Sequence, residues 1–305
     1  VCDYIGSHEE ESVKFLKRLI QEKSVSGDES GAQAIVIEKL RELGLELDIW
    51  EPSFSKMKDH PYFVSPRTSF SDSPNIVATL KGSGDGKSMI LNGHIDVVPE
   101  GDVNQWEHHP YSGEKIGNRI YGRGTTDMKG GNVALMLAME AIIESNIELK
   151  GDIYFQSVIE EESGGAGTLA TILRGYKADG VIIPEPTNMK FFPKQQGSMW
   201  FRLRVKGKAA HGGTRYEGVS AIEKSMFVIE HVRKLEEKRN SRITDPLFKE
   251  IPIPIPINIG KIEGGSWPSS VPDELILEGR CGVAPNETIE AAKEEFENWI
   301  AELND

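Results

Sequence analysis

The chain has 305 residues, 38% of them apolar, and 31 glycines, which places it among ordinary globular proteins of about two domains rather than disordered or disulfide-framed chains. Its 35 Lys+Arg against 48 Asp+Glu give a formal charge of −13, which excludes a phosphate-backbone ligand because nucleic-acid affinity draws on cationic neutralisation. The longest apolar run, around Val133–Met139, is too short for a membrane span, Val1–Glu10 carries no signal-peptide pattern, and Cys2 and Cys281 form no framework, so a cytoplasmic protein is expected.

In chain order, Ser7 to Lys23 reads as a helix, with Ser7 and Glu10 in capping-box spacing and Val13, Leu16, Leu19 and Ile20 on one face. A second helix runs from Ser30 to Leu43 and stops at Gly44, and Leu45, Leu47 and Ile49 alternate with acids as a strand. Glu51–Pro74, rich in Ser, Pro and Asp, reads as a long surface excursion. Strands Ile76–Leu80 and Met89–Leu91 follow, joined by a glycine-rich hairpin turn at Gly82–Gly86. Next come a helix at Gly131–Ser145, a strand at Asp152–Ile159, a helix at Ala166–Arg174 and a strand at Gly180–Ile183, an alternation that argues for an α/β sheet with parallel members.

The texture changes after Pro193. Strand Met199–Lys206, helix Gly218–Leu235, strands Ile253–Ile262 and Glu274–Cys281, and helix Thr288–Leu303 make a β-α-β-β-α order, one strand short of a split βαβ sandwich. Alternating Ile and Pro over Ile251–Ile257 suits a sheet edge or an extended linker. Two domains are therefore expected, 1–194 and 195–305.

Chemistry gathers where strands end. His94 and Asp96 follow one strand, Glu160, Glu161 and Glu162 follow another, Glu185 a third, and Asp127 precedes a helix, so all should converge beyond the carboxyl ends of the sheet. Such a crowd of carboxylates repels itself unless a cation holds it. Carboxylates with a histidine suit zinc, manganese or cobalt, and bridging carboxylates permit two ions roughly 3.5–4 Å apart. In His94-x-Asp96 the aspartate can accept a hydrogen bond from the imidazole nitrogen that holds no metal. A neighbouring, unligated glutamate can take a proton from an activated water and return it to a leaving amine, which points to amide hydrolysis.

The runs Leu91-Asn-Gly-His-Ile-Asp-Val-Val-Pro99, Gly122-Arg-Gly-Thr-Thr-Asp-Met-Lys-Gly130, Glu160-Glu-Glu-Ser-Gly-Gly165 and Pro184-Glu-Pro-Thr187 closely resemble the M20 metallopeptidases, the acetylornithine deacetylase, succinyl-diaminopimelate desuccinylase, aminoacylase and carboxypeptidase G2 group. Val205-Lys-Gly-Lys-Ala-Ala-His-Gly-Gly213, Ile259–Gly265 and Val271-Pro-Asp273, leading to Arg280, extend the resemblance over nearly the whole chain. It implies an α/β zinc-peptidase-like catalytic domain with a mixed, mainly parallel sheet, plus an inserted ferredoxin-like α+β lid through which the protein forms a homodimer.

The resemblance further implies that His94 binds one metal ion, Asp127 bridges two, Glu162 binds the second and Glu185 the first, zinc being favoured over cobalt or manganese. Glu161 would be the general base, Asp96 would orient His94, and the peptide after Asp127 would be cis. His211 would reach a partner subunit's site to polarise the scissile carbonyl. Arg280 would hold a substrate carboxylate, or else form a structural salt bridge.

By the same resemblance the substrate is a small N-acylated amino acid or related amine. The alternatives are an M20 dipeptidase or carboxypeptidase and a non-catalytic, truncated metal-binding dimerisation protein. The last is motivated by the histidines: none of the seven lies after His231, whereas the family supplies a further metal-binding histidine from a late segment, so the chain reads as a fragment of a longer protein. Trp267-Pro-Ser-Ser270 stands where relatives often carry an asparagine, which leaves the role of the Ser269/Ser270 loop open.

Overall fold

The computed structural model describes residues 1–304 and divides into two compact units, Val1–Lys190 and a second from Phe191 onward, where the sequence suggested a division after 194. In the first unit the elements are α1 (Cys2–Ser7), α2 (Glu9–Gln21), α3 (Ser30–Glu42), β1 (Glu46–Trp50), α4 (Phe54–Met57), β2 (Asn75–Leu80), β3 (Met89–His94), β4 (Glu114–Ile116), β5 (Arg119–Tyr121), α5 (Gly130–Glu144), β6 (Ile153–Val158), α6 (Ala166–Leu173) and β7 (Gly180–Ile182).

Five of these strands form one sheet in the order β1-β2-β6-β3-β7. The pairs β1–β2 and β2–β6 are antiparallel, while β6–β3 and β3–β7 are parallel. The sheet is therefore mixed in equal measure rather than mainly parallel. The parallel half carries the chemistry: Met89 pairs with Ile153 and His94 with Val158, so β3 and β6 end side by side, and β7 runs the same way on the other flank of β3.

The hairpin expected at Gly82–Gly86 does not exist, because β6 lies between β2 and β3. The glycine-rich segment instead lies on the chain entering β6: the N–H of Ser83 donates to Leu149 O, and those of Gly84 and Gly86 to Lys150 O, at 2.9–3.0 Å. A Cβ on Gly82 would come within 2.6 Å of Gly151 O, so here the glycine serves close approach rather than a tight turn.

The helices bury one apolar cluster against the sheet, built from Leu19, Val36, Leu40, Ile76, Leu91, Ile95, Met136, Met139, Phe155 and Ile159 among others. Removing a ring such as that of Phe155 from this core costs about 3–5 kcal/mol. The first helix breaks at His8, so Ser7 lies inside α1 and its hydroxyl donates to Tyr4 O rather than capping toward Glu10. Helix α3 stops where its glycine predicts, with Gly44 at φ +69. Within Glu51–Pro74, Met57, Phe70 and Ser73 are buried, so that excursion contributes to the core and is more than surface.

The second unit comprises β8 (Gly197–Lys206), β9 (Ala210–His211), α7 (Ala221–Asn240), β10 (Ile257–Gly264), β11 (Ser270–Val271), β12 (Glu274–Val283) and α8 (Ile289–Ala301). An antiparallel sheet, β10-β12-β8, backs onto α7 and α8 through Val232, Leu235, Ile257, Cys281 and Phe296. Both helices begin with side-chain caps, Ser220 accepting from the N–H of Glu223 and Thr288 from that of Ala291. The Ile-Pro repeat is irregular up to Ile257, where β10 starts, because proline offers no N–H to a ladder. Among the described residues no helix is long and apolar enough to cross a membrane.

Candidate metal centre

His94 is the last residue of β3 and is 1% exposed. Its position depends on Gly93, where a Cβ would meet the Asn132 side-chain oxygen at 2.0 Å, while the Asn132 amide donates to His94 O at 2.6 Å. The imidazole Nδ1 lies 2.8 Å from the backbone oxygen of Asp96, which places the proton on Nδ1 and turns Nε2 toward the carboxylates. Nε2 is 3.1 Å from Asp127, 3.7 Å from Glu185 and 3.9 Å from Glu161.

Asp96 acts differently from the sequence reading. Its carboxylate lies 3.6 Å from the ring nitrogen and spends its two oxygens on the backbone N–H groups of Glu161, at 3.2 Å, and Glu162, at 3.1 Å. The backbone carbonyl of Asp96 therefore orients His94, and its side chain orients the glutamate loop that follows β6. Asp127 sits in a one-turn kinked segment ahead of α5, and its peptide bond to Met128 is cis. Lys129, fully buried, ties this segment to the end of α2 by donating to Leu19 O and Glu22 O, both at 2.8 Å.

Burial, and then the charge of Asp127, pushes the Glu162 carboxyl up to about 7, and burial likewise pushes Glu185 up to about 7. Asp96 rises to about 6 through burial. Burial opposes a charge on His94, but Asp127, Asp96, Glu161 and Glu185 outweigh it and raise the imidazole to about 9. The hydrogen bond from His94 holds Asp127 below the usual carboxylate range.

This balance is that of a donor set short of positive charge, and a divalent cation fits it. One donor atom from each of His94, Asp127 and Glu162 lies within 4.8 Å of the others, and the same holds for His94, Glu161 and Glu185. The two groups share His94, so the cluster offers two neighbouring positions built from one imidazole and four carboxylates.

Of the adjacent glutamates, Glu160 stays out of both groups. Its residue adopts φ +59, and its buried carboxylate faces Ser26, Ser65, Ser163 and Arg67 instead. Ser163 belongs to the same motif, but Ser26, Ser65 and Arg67 come from segments that carry none, and the sequence reading had no means of finding them.

Two other sequence candidates belong to the second unit. His211 ends β9, is exposed, and accepts at Nδ1 from the N–H of Gly213. Ser270 pairs with it across the β9–β11 ladder, and Ser269 O accepts from Gly212 N at 2.7 Å, which gives the Ser269/Ser270 loop a backbone role beside His211. Arg280 is exposed on β12, in register with Trp200 and Asn258, and makes no salt bridge among the described residues, so the structural ion-pair alternative finds no partner here.

The profile of peptidase family M20/M25/M40 matches residues 90–278. An N-formyl-4-amino-5-aminomethyl-2-methylpyrimidine deformylase of Bacillus subtilis is 33% identical over 99% of this chain and 70% of its own length. A probable succinyl-diaminopimelate desuccinylase of Staphylococcus aureus is 30% identical over 75% of this chain and 62% of its own, so the chain spans less than two thirds of that relative. A solved tripeptidase, also from Staphylococcus aureus, is 26% identical, with a TM-score of 0.61 over 97% of this chain and 73% of that one. Motif, geometry and similarity agree: the chain belongs to peptidase family M20/M25/M40.

Proposed function

We propose that this chain is a metal-dependent amidohydrolase that removes an acyl group from a small N-acylated amine, with Glu161 as general base. The observation that carries the reading is the convergence of His94, Asp127, Glu161, Glu162 and Glu185 at the shared end of β3, β6 and β7, in a chain 33% identical to a deformylase. The M20 chemistry is hydrolysis of amide bonds, and both curated relatives above are named as deacylating enzymes.

Two divalent ions, zinc ahead of cobalt or manganese, would be held by His94, Asp127, Glu162 and Glu185 and would polarise an amide carbonyl while acidifying water. Glu161 suits the base because its backbone is fixed by Asp96 while its side chain is 46% exposed at the rim. It would accept the proton of the attacking water and return it to the departing amine. Asp96, through its backbone carbonyl, keeps Nε2 of His94 facing the donors.

The resemblance supports two further roles, His211 polarising the scissile carbonyl of a partner subunit and Arg280 holding a substrate carboxylate. A homodimer formed through the second unit goes with the first of these, and the free cysteines Cys2 and Cys281 support a cytoplasmic setting.

The test is product analysis of zinc-loaded protein on N-formyl, N-acetyl and N-succinyl amines beside di- and tripeptides, with Glu161→Gln in parallel. Acyl release by the native protein, reduced about 10²–10⁴-fold in the variant with metal content unchanged, supports the reading. Peptide cleavage without acyl release would move the assignment to the peptidase side of the family, toward the solved tripeptidase.

A further inference from the structure

We infer that Glu160, the first residue of the glutamate run, is a positioning residue that sets the metal-binding geometry of the loop from the side opposite Asp96. Its side chain is 0% exposed and carries four hydrogen bonds, from the hydroxyls of Ser26, Ser65 (2.6 Å) and Ser163 (2.8 Å) and from Arg67 (3.2 Å). Four donors, one of them a guanidinium, converge on a carboxylate shut off from water, so the group is an anion locked in place.

The lock reaches well beyond the loop. Arg67 also donates to Glu29, itself 0% exposed, at 3.0 Å, and Ser73 bridges the two by accepting from Arg67 and donating to Glu29. One guanidinium thus pairs with two buried carboxylates, joining the segment after α2, the start of α3 and the excursion before β2 to the end of β6.

The consequence for the site follows from chain geometry. Asp96 grips the N–H groups of Glu161 and Glu162, and Glu160 grips the other end of the same peptide run through its side chain. With both ends held and Glu160 in the left-handed region, Glu161 and Glu162 leave the loop in fixed directions, whereas either anchor alone would let the run pivot. All four partners of Glu160 are donors, so an amide in its place presents an NH₂ group to at least one of them.

The inference rests on the metal-centre reading above. The experiment is cobalt titration of the chelator-stripped full chain by calorimetry and visible absorption, comparing native protein, Glu160→Gln and Glu29→Gln, with unfolding temperatures recorded for each. Glu29→Gln disturbs the same Arg67 pair without touching the loop. Glu160→Gln is expected to weaken cobalt binding about 10- to 100-fold and to shift the visible band, while Glu29→Gln lowers the unfolding temperature but keeps native affinity and spectrum. Ser65→Ala and Ser163→Ala, each removing one donor, should shift affinity the same way by a smaller factor and serve should Glu160→Gln not fold.

Native cobalt affinity and spectrum in Glu160→Gln, or equal weakening in Glu29→Gln, would overturn the positioning role while leaving the metal centre standing. A native chain that binds no cobalt would overturn the metal-centre reading, and the positioning role with it.

Discussion

Replacing Lys129 with methionine should remove a specific pH dependence from stability. Burial pushes its ammonium down from 10.5 to about 8, against the weaker pull of Glu22. The unfolded chain keeps this proton to about 10.5 while the folded chain releases it near 8, so between those values the unfolded state binds more protons and folding stability rises with pH. At about 1.4 kcal/mol per pH unit the full window amounts to about 3 kcal/mol, of which about 2 kcal/mol is realised by pH 9.5. The variant has no such group. Urea unfolding of chelator-stripped native protein and Lys129→Met at pH 7, 8, 9 and 9.5 gives the difference between the two as a function of pH, in which other titrating groups cancel. That difference should grow by about 2 kcal/mol toward alkaline pH, on top of a pH-independent cost of about 1–3 kcal/mol for each carbonyl, Leu19 O and Glu22 O, left without its donor. Parallel pH profiles would show that the ammonium is not the desolvated charge the geometry makes it.

Metal stabilisation should depend on pH. In stripped protein, Glu162 and Glu185 at about 7 and Asp96 at about 6 hold protons that the unfolded chain has released, so stability falls as pH rises from about 4.5 to 7. His94, raised to about 9, has the same sense, its contribution being full below about 6.5 and lost through 9, while depressed Asp127 acts in the opposite sense only at lower pH. The gain in unfolding temperature on adding zinc should therefore increase from pH 5 to pH 8, and a constant gain would contradict the carboxylate balance. Asp96→Asn, which can accept from only one of the two glutamate N–H groups, should lower metal affinity about 10- to 100-fold, measurable by competition with a chromogenic chelator. In the second unit, Arg239→Met strips Glu287 of its partner and leaves Glu295 with Arg242 alone, and should cost about 3–5 kcal/mol in urea unfolding; a loss under 1 kcal/mol would mean that Glu287 finds another partner.

What could be read from the sequence was whatever depends on short range. Gly44 ends α3 because only a residue free to take positive φ serves there, and the strand-then-polar-edge pattern located His94, the glutamate run and Glu185 without knowledge of strand order. Strand order itself was not legible. Gly82–Gly86 has the composition of a hairpin turn, and nothing local says that β6, some seventy residues on, enters between the strands it connects. The β4–β5 ribbon escaped notice because its strands are three residues each. In the site, residue types picked out side chains that the fold brings together, but the turning of Glu160 away from Glu161 and Glu162 depends on one backbone torsion and on Ser26, Ser65 and Arg67, which sequence spacing cannot bring together.

The place of β6 in the sheet also bears on how the chain comes off the ribosome. When synthesis has passed residue 144, the chain of α1–α5 and β1–β5 has been made, but β3 still lacks both of its neighbours in the sheet, since β6 and β7 lie later in the chain. Until then β2 and β3 each present an open edge of Ile, Val and Leu, the condition under which nascent chains associate with one another. The strand that closes this gap is followed at once by Glu160, Glu161 and Glu162. Insertion of β6 and delivery of the glutamate run are thus a single late event of high contact order, with β7 and Glu185 still to follow, and an ion added early in synthesis would find His94 and Asp127 but no loop to close around it.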